Sequence, residues 1–314
     1  MAFYLVTGGA GFIGSNIVEE LVRRGERVRV LDNFSTGKRE NIVPLLEHID
    51  LVDGDLCDLY TVRQAVEGVD CILHQGALPS VPRSIADPLA SNAANVTGTL
   101  HVLVAARDAS VRRVVYASSS SIYGDSPTLP KKPDMPAQPK SPYAVAKLAG
   151  EGYCRAFAEV YGLETVSLRY FNVFGPRQDP TSQYSAVIPL FITGLLRGER
   201  PTVHGDGLQS RDFTYVSNVV QANLLAANAP DVSGRTFNIA CGQRHTLLDM
   251  IAILNDILDI QIAPVHTASR PGDVRHSLAD ITVTQEMLGY HVEADFREGL
   301  RRTVAWYKTK RDWR

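Results

Sequence analysis

The sequence has few of the features that mark membrane, secreted or nucleic-acid-binding proteins. Its 314 residues carry a formal net charge of −2, so there is no basic surplus to contact a phosphate backbone. The most apolar run, VIPLFITGLL, is too short for a membrane span and contains Pro189. The apolar start FYLV runs directly into glycines, without the basic segment of a signal peptide. We therefore expect neither a nucleic-acid nor a membrane partner.

Cysteine is also scarce. Only Cys57, Cys71, Cys154 and Cys241 occur, and their spacing fits neither a metal site nor a disulfide framework. The histidines likewise show no metal-ligand spacing. These absences predict reduced cysteines that pack in a cytoplasmic protein, and no metal site.

The first 32 residues alternate in the order strand, helix, strand. Phe3–Thr7 is a short apolar run, Ser15–Arg24 has helical periodicity, and Arg27–Leu31 is a second apolar run that ends at Asp32. Glycines fill the turn between the first strand and the helix. This order is typical of a βαβ unit that binds a dinucleotide.

The glycines follow the pattern G-x-x-G-x-x-G at Gly8, Gly11 and Gly14. They permit a tight turn, a close approach of the backbone to a pyrophosphate, and close packing of the helix, whose N-terminus then faces the phosphates. Asp32 is placed to accept hydrogen bonds from a ribose diol. Because its carboxylate repels a 2′-phosphate, we expect NAD rather than NADP.

The alternation continues to residue 170. The predicted strands are Asp50–Asp53, Cys71–His74, Val114–Ser118 and Thr165–Tyr170, and the predicted helices are Ser91–Ala109 and Pro142–Tyr161. Right-handed crossovers make this a doubly wound parallel Rossmann sheet of the α/β class. Asp55 follows one strand, where it is placed to hold the adenine edge. Gly76 and Ala77 follow the next, and their small size lets the backbone approach the cofactor.

The character changes after residue 172. A loop is predicted over 175–184, a helix over Val187–Arg197, a helix over Asp212–Ala227 and a strand over Thr236–Ala240. We expect residues 1–173 plus about 212–243 to form the NAD-binding domain. Residues 174–211 plus about 244–314 would form a smaller C-terminal α/β domain that binds the substrate.

Tyr143 and Lys147 are one helical turn apart, just after the N-cap residue Ser141 and Pro142. An ammonium beside a phenol favours the phenolate, which makes the tyrosine a general base. In isolation the pair is more often an ordinary surface contact.

Asn95 interrupts the apolar pattern of the predicted helix Ser91–Ala109. A buried asparagine is costly unless it is hydrogen-bonded. Two interpretations are equally favoured, a local side-chain bond and a contact near the cofactor.

The glycine pattern, Asp32, a serine cluster before Tyr123-Gly124, Tyr143-x-x-x-Lys147 and the run RYFNVFGP together resemble the extended short-chain dehydrogenase/reductase family over essentially the whole chain. Within that family the chain is most similar to nucleotide-sugar 4-epimerases. The resemblance implies that Tyr143 deprotonates the sugar 4-hydroxyl while hydride passes to NAD. It also implies that Lys147 lowers the pKa of Tyr143 and that Ser119 hydrogen-bonds the reacting hydroxyl.

The same resemblance separates neighbouring activities. Dehydratases of the family carry an Asp-Glu pair just after the Ser119 position, and decarboxylases carry a Glu. This chain has Ser120 and Ser121, which cannot act as acid and base at neutral pH.

The resemblance, together with the residue patterns, gives two sets of site residues. The cofactor-binding set is Gly8, Gly11, Phe12, Ile13, Gly14, Asp32, Asn33, Asp55, Leu56, Gly76, Ala77, Asn95, Tyr143, Lys147 and Tyr170. The substrate-binding set is Ser80, Val81, Ser119, Ser120, Ser121, Tyr143, Asn172, Val187, Arg211, Arg270, Asp273 and Ser277.

The resemblance assigns Arg211 and Arg270 to a UDP diphosphate and Asp273 to the uridine ribose. Ser277 stands where a bulky residue excludes an N-acetyl group in some members, so a serine there implies that UDP-GlcNAc and UDP-GalNAc are accepted. Arg83 would attract a uronic carboxylate or point to solvent, and both interpretations stay open.

The alternatives are a UDP-glucose/UDP-galactose 4-epimerase and a UDP-uronate 4-epimerase. A non-catalytic NAD-binding regulator is a third, but such proteins typically lose the tyrosine, lysine or serine that are all present here. By resemblance we also expect a homodimer, formed through the helices that begin near Ser91 and Pro142.

Overall fold

The centre of the fold is a parallel sheet. The computed structural model of the protein describes residues 1–180, 187–268 and 275–310, which include the whole sheet. The strands of this sheet are β1 (Phe3–Thr7), β2 (Arg27–Asp32), β3 (Ile49–Asp53), β4 (Cys71–His74), β5 (Arg113–Ser119), β6 (Glu164–Tyr170) and β11 (Arg235–Ile239). Their order is β11-β6-β5-β4-β1-β2-β3, and every neighbouring pair is parallel. The strand order reverses between β1 and β4: successive strands are added on one side of β1 up to β3 and on the other side from β4 onwards. Sheets of the α/β class bind ligands at such a switch point.

Helices connect and cover these strands. They are α1 (Phe12–Arg23), α2 (Leu59–Val66), α3 (Val81–Ala86), α4 (Pro88–Asn92), α5 (Gly98–Asp108), α6 (Pro142–Tyr161), α7 (Val187–Leu196), α8 (Val216–Asn228), α9 (Leu247–Leu258), α10 (Thr282–Leu288) and α11 (Phe296–Thr309). Short 3-10 helices span Arg39–Asn41, Val43–His48 and Ser120–Tyr123, and a π-helical turn spans Ala93–Thr97. None of the helices in the described part of the chain is long and apolar enough to cross a membrane.

The remaining strands are short and pair two by two. They are β7 (Val173–Phe174), β8 (Thr202–His204), β9 (Ser210–Arg211), β10 (Thr214–Tyr215), β12 (His245–Thr246) and β13 (Val265–Thr267). β7 pairs with β10 and β8 with β13, both parallel, while β9 and β12 are antiparallel.

Both faces of the main sheet are buried. Alternate side chains of β1 enter different cores, with Tyr4 and Val6 on one face and Phe3 and Leu5 on the other. Near-continuous apolar strands are what a parallel sheet covered on both sides requires. The predicted doubly wound α/β fold is confirmed.

Three predicted elements need correction. The first helix begins at Phe12 rather than Ser15, because Gly11 is its N-cap. The helix predicted over Ser91–Ala109 is interrupted by the π-helical turn Ala93–Thr97.

The helix predicted from Asp212 begins only at Val216, because Thr214 and Tyr215 pair with β7 instead. The strand β11 joins the nucleotide-binding sheet, and α8 packs against α1, as the two-segment domain division expects. That division itself stays a prediction.

Candidate active site

A cavity of about 1000 Å³ opens at the carboxyl edge of the main sheet. Every predicted cofactor-binding residue except Asn95 lines it, namely Gly8, Gly11, Phe12, Ile13, Gly14, Asp32, Asn33, Asp55, Leu56, Gly76, Ala77, Tyr143, Lys147 and Tyr170. The structure therefore brings the glycine turn and the Tyr/Lys pair into one cavity. Its size and place suit a dinucleotide.

The glycine turn fits a diphosphate because side chains have no room there. Gly8 has φ of +66°, and its N–H donates to Leu31 O at 2.8 Å. A Cβ on Gly14 would lie 2.1 Å from Gly8 O, so the helix could not approach the turn this closely with any other residue. Gly11 caps α1, whose first N–H groups face the cavity and favour an anion.

Asp32 ends β2 with both carboxylate oxygens already engaged. Oδ2 accepts from the Ala10 N–H at 2.9 Å, and Oδ1 accepts from the Phe34 N–H at 2.8 Å. Burial is the main influence on this carboxyl and raises its pKa, while those two N–H groups lower it. The remaining lone pairs can accept from a ribose diol. Beside it, Asn33 Nδ2 donates to Asp55 Oδ2 at 2.7 Å, which joins the ends of β2 and β3.

Asn95 does not line the cavity but holds one of its walls. Its Oδ1 accepts from Leu78 N at 2.7 Å, and its Nδ2 donates to Leu78 O at 3.0 Å. Leu78 belongs to the loop after β4 that lines the cavity. Its Nδ2 also donates to Ser91 Oγ at 3.3 Å, so a local side-chain bond is present and the bonds to Leu78 make Asn95 a support for the loop as well.

Lys147 lies on the first turns of α6 and is almost fully buried. Its Nζ donates to the backbone oxygen of Ala117 on β5 at 2.7 Å and lies 5.9 Å from the centre of the Tyr143 ring. Burial lowers the pKa of the ammonium to about 8, against smaller opposing effects of Cys154 and Glu151. The lysine charge is therefore held near the phenol without touching its ring.

Tyr143 has a pKa that burial raises, while a hydrogen bond with the Ser119 side chain lowers it. The lowering expected from Lys147 is not among the influences on the phenol in this structure. Ser119 Oγ also accepts from the N–H and the hydroxyl of Ser121, at 3.2 and 2.9 Å. The end of β5 thus presents a connected row of hydroxyls beside the tyrosine.

A buried ion pair beneath this site was not predicted from the sequence. Glu151 binds Arg169 through two hydrogen bonds of 2.8 Å, and Ser118 Oγ donates to Glu151 Oε1 at 2.5 Å. The pair joins α6 to the ends of β5 and β6, and so fixes the strand that carries Ser119. The signal in the sequence was the four-residue spacing of Lys147 and Glu151, which puts two polar side chains on the same face of α6.

The predicted substrate-binding residues lie on several different elements. Ser119, Ser120 and Ser121 lie at the end of β5 and in the following 3-10 helix. Asn172 and Ser277 meet after β6, where Asn172 Nδ2 lies 3.4 Å from Ser277 Oγ.

Ser80 is the N-cap of α3 and Val81 its first residue, and Val187 begins α7. Arg211 lies on β9, where its Nη1 donates to Ser210 O and Arg275 O. The predicted diphosphate and ribose contacts Arg270 and Asp273 lie outside the described residues.

Several cavity residues were missed or left undecided. Lys38, Arg177 and Asp179 line the cavity, and Lys38 Nζ lies 3.2 Å from Asp179 Oδ2. Arg83 also lines it, which favours the inward interpretation of that residue. The polar run after Asp32 was the available signal for Lys38. Among the described residues, no group of three or more His, Cys, Asp or Glu could hold a metal ion.

Comparisons with known proteins agree with this geometry. Residues 4–240 match the family described as "NAD dependent epimerase/dehydratase family". The UDP-glucose 4-epimerase of Mycolicibacterium smegmatis is 36% identical over 314 residues, covering 98% of both chains.

Two solved structures cover the chain equally well. A UDP-N-acetylglucosamine 4-epimerase from Methanobrevibacter ruminantium M1, in complex with UDP-N-acetylmuramic acid, has a TM-score of 0.94 and 41% identity over 98% of both chains. A UDP-glucose 4-epimerase from Thermotoga maritima with UDP-glucose has a TM-score of 0.91 and 35% identity, covering 98% of this chain and 99% of that one.

Proposed function

This chain belongs to the NAD dependent epimerase/dehydratase family, and on that premise we propose that it interconverts UDP-GlcNAc and UDP-GalNAc, and also UDP-Glc and UDP-Gal, through a transient 4-keto sugar. Membership in the family confirms NAD as the cofactor, and the epimerases among its relatives confirm an isomerase of the UDP-sugar 4-epimerase type. The choice of sugar and the residue roles below are our proposal.

The cavity supplies what the cofactor needs. The turn at Gly8 and Gly14 and the start of α1 would hold the diphosphate, and Asp32 would hold the adenosine ribose. When bound, NAD supplies an acceptor that takes the C4 hydrogen as hydride and returns it to the opposite face of the same carbon. Because the cofactor is regenerated in each turnover, there is no net oxidation.

The observation that carries the proposal is the pair Tyr143 and Lys147 at the wall of this cavity, with the Ser119 side chain hydrogen-bonded to the tyrosine. As phenolate, Tyr143 would take the proton of the sugar 4-hydroxyl, with the Ser119 hydroxyl bonded to the same oxygen. The Lys147 ammonium, 5.9 Å from the ring centre, favours the phenolate over the phenol. The proton returns from Tyr143 when the 4-keto sugar is reduced.

The neighbouring hydroxyls favour epimerisation over elimination. Ser120 and Ser121 follow Ser119 directly, and neither can exchange a proton at neutral pH as a carboxyl does. Ser121 is moreover bonded to Ser119 Oγ through both its N–H and its hydroxyl. The 4-keto sugar therefore has no acid and base at its C5 and C6 side and is released only after hydride returns.

We propose that the acetylated sugars fit because the wall at Ser277 is small. Ser277 is half-buried, and its Oγ lies 3.4 Å from Asn172 Nδ2 on the segment after β6. Asn172 would contact a phosphate or a sugar hydroxyl, so a bulky side chain at 277 would enter the space beside it. Ser80 and Val81 would leave similar room on the other side.

A Ser277→Tyr variant tests this substrate assignment. We expect its kcat/KM for UDP-GalNAc to fall at least tenfold more than its kcat/KM for UDP-Gal. The matched control, Ser277→Ala, keeps the wall small and should treat the two sugars as wild type does. An equal loss on both sugars in Ser277→Tyr contradicts the assignment.

A UDP-uronate 4-epimerase is the second candidate, and the position of Arg83 favours it. This arginine lines the cavity and could bind a uronic carboxylate. Under that alternative, wild type converts UDP-GalA faster than UDP-GalNAc, and Arg83→Met loses activity on UDP-GalA alone. Equal effects of Arg83→Met on UDP-GalA and UDP-GalNAc would contradict this alternative.

We further propose that the protein is a homodimer formed through α6 and the helical segment that contains Ser91, which the structure divides into α4, a π-helical turn and α5. Val145, Tyr153 and Val160 lie on one stripe of α6 at helical spacing and are exposed, as is Leu89 on the adjacent α4. A second copy of the same stripe would cover these side chains in an isologous interface. Sedimentation of wild type and of Val145→Asp should show a dimer and a dissociated form.

A further inference from the structure

Asp212 is a carboxylate with no exposed surface that the proposed reaction does not use. Its Oδ1 accepts from Cys241 N at 2.9 Å, and its Oδ2 accepts from Gly242 N at 3.1 Å and from Ala279 N at 3.2 Å. The first two N–H groups belong to the turn after β11, and the third belongs to the segment 275–281. One side chain thus ties two segments together that are distant in sequence.

The same residue also connects through its backbone to Asn172 and Ser277, the residues of the proposed sugar wall. The carbonyl oxygen of Asp212 accepts from Asn172 Nδ2 at 3.0 Å, and that amide also reaches Ser277 Oγ. Ser277 N in turn donates to Ser210 O at 3.0 Å. Ser210 is the first residue of β9, two residues before Asp212. The Asn172 amide therefore contacts both the Asp212 backbone and the Ser277 side chain.

We propose that Asp212 is a positioning residue for the sugar pocket, whose carboxylate holds the segment of Ser277 and Ala279 in the place that sugar binding requires. This inference rests on the proposed function and adds to it the residue that sets the position of the wall. A carboxylate suits the task because both of its oxygens accept N–H bonds, whereas an amide has one accepting oxygen and would turn a donor NH2 towards one of these N–H groups.

The influences on the Asp212 carboxyl are its burial and its backbone hydrogen bonds. Cys241 and Tyr290 face it, and burial raises the pKa of the Cys241 thiol to about 12 and also raises that of the Tyr290 phenol. Both are neutral near pH 7. His276 lies on the same segment, bonded to Ser210 Oγ at 2.8 Å, and burial together with the neighbouring Arg244, Arg275 and Arg211 lowers the pKa of its imidazole.

Burial also raises the pKa of the Asp212 carboxyl to about 6, against the lowering effect of its backbone hydrogen bonds. A protonated carboxyl carries a hydrogen on one oxygen and can accept fewer hydrogen bonds. Protonation of Asp212 would therefore weaken its bonds with the Gly242 and Ala279 N–H groups. The proposal therefore expects sugar binding to weaken as pH falls through about 6. Catalysis at Tyr143 and Lys147, which Asp212 does not contact, should not follow this titration.

The test is steady-state kinetics of Asp212→Asn with UDP-Gal and UDP-GalNAc at pH 7.5, with NAD content measured in parallel. We expect KM to rise at least tenfold, kcat to stay within about threefold, and NAD content to be unchanged. The matched control is Asp280→Asn, which removes from the same segment a carboxylate whose hydrogen bonds go to the nearby Thr282. It should leave KM unchanged.

The wild-type protein gives a second measurement that needs no variant at Asp212. Its KM should rise below pH about 6, and this rise should persist in His276→Asn. A KM that stays flat between pH 5 and 7, or a rise that disappears in His276→Asn, overturns the proposal. So does an Asp212→Asn protein with wild-type KM, or one whose kcat falls while KM stays the same.

The proposed function fails separately if the wild-type protein converts neither UDP-Gal nor UDP-GalNAc at any pH. In that case hydrogen exchange decides the positioning role without turnover. Faster exchange in Asp212→Asn of the peptides that contain Cys241, Gly242 and Ala279 supports it, and unchanged exchange overturns it.

Discussion

The ammonium of Lys147 donates a hydrogen bond of 2.7 Å to the backbone oxygen of Ala117 on β5, and the same nitrogen lies 5.9 Å from the centre of the Tyr143 ring. This arrangement ties the lysine to the sheet and leaves the phenol oxygen to Ser119. The proposed mechanism requires the lysine to act on the tyrosine through its charge when NAD is bound, although that effect is not among the influences on the phenol pKa in this structure.

The first prediction concerns pH. Burial lowers the pKa of Lys147 to about 8, so its charge is present below that pH and is lost as pH rises through it. Because the charge favours the phenolate, we expect kcat to fall above pH about 8. The measurement is kcat across about pH 6.5 to 9.5 at saturating sugar. A kcat that stays constant up to pH 9.5 would contradict a role for the ammonium.

The second prediction concerns the base itself. Tyr143→Phe removes the group that would exchange the proton, and we expect kcat to fall by about 10²- to 10⁴-fold. Bound NAD should remain, because Phe keeps the ring that lines the cavity. Tyr153→Phe, on the exposed side of the same helix, is the control and should retain full activity. A Tyr143→Phe enzyme within tenfold of wild type would assign the proton transfer to another group.

The third prediction concerns cofactor choice. Asp32→Asn removes the negative charge at the ribose position but keeps an oxygen for the Ala10 or Phe34 N–H. We expect the ratio of NADP to NAD affinity to rise at least tenfold, because repulsion of a 2′-phosphate is lost. Equilibrium dialysis with each cofactor measures the ratio. An unchanged ratio would show that something other than this carboxylate excludes NADP.

The fourth prediction concerns cofactor retention. The ion pair of Lys38 and Asp179, 3.2 Å apart, joins two loops that line the cavity. We expect Asp179→Asn to release NAD about two- to fivefold faster, the scale of a half-exposed ion pair, and high salt to reduce the difference. Glu40→Gln is the control, because Glu40 lies 3.9 Å from the same lysine but within its own loop. Equal NAD release rates in the two variants would show that the ion pair of Lys38 and Asp179 does not help to retain the cofactor.

The fold and the cofactor cavity follow from local patterns in the sequence. The glycine turn, Asp32 and the Tyr143/Lys147 pair were all read from short stretches, because strand ends and helix starts carry them to the same edge of the sheet. For Asn95 the pattern left a local side-chain bond and a contact near the cofactor equally open, and the bonds that it makes to Leu78, seventeen residues away in the chain, follow from no local pattern.

Residues that act through distant partners could not be predicted in this way. Glu151 and Arg169 form their ion pair across α6 and β6, and Asp212 joins segments near residues 241 and 279. No spacing rule relates such positions. Asp212 was taken as the first residue of a helix, although its carboxylate accepts backbone N–H groups that only the folded chain brings together.

The most direct measurement is to incubate the purified protein separately with UDP-GalNAc, UDP-Gal and UDP-GalA, without added cofactor, and to separate the products by chromatography. We expect each accepted sugar to reach an equilibrium mixture of its two C4 epimers, with UDP-GalNAc converted fastest. Conversion of UDP-Gal alone would keep the mechanism and overturn the assignment of the acetylated sugars. No conversion of any of the three, even after addition of NAD⁺, would contradict the central claim that this site epimerises UDP-sugars.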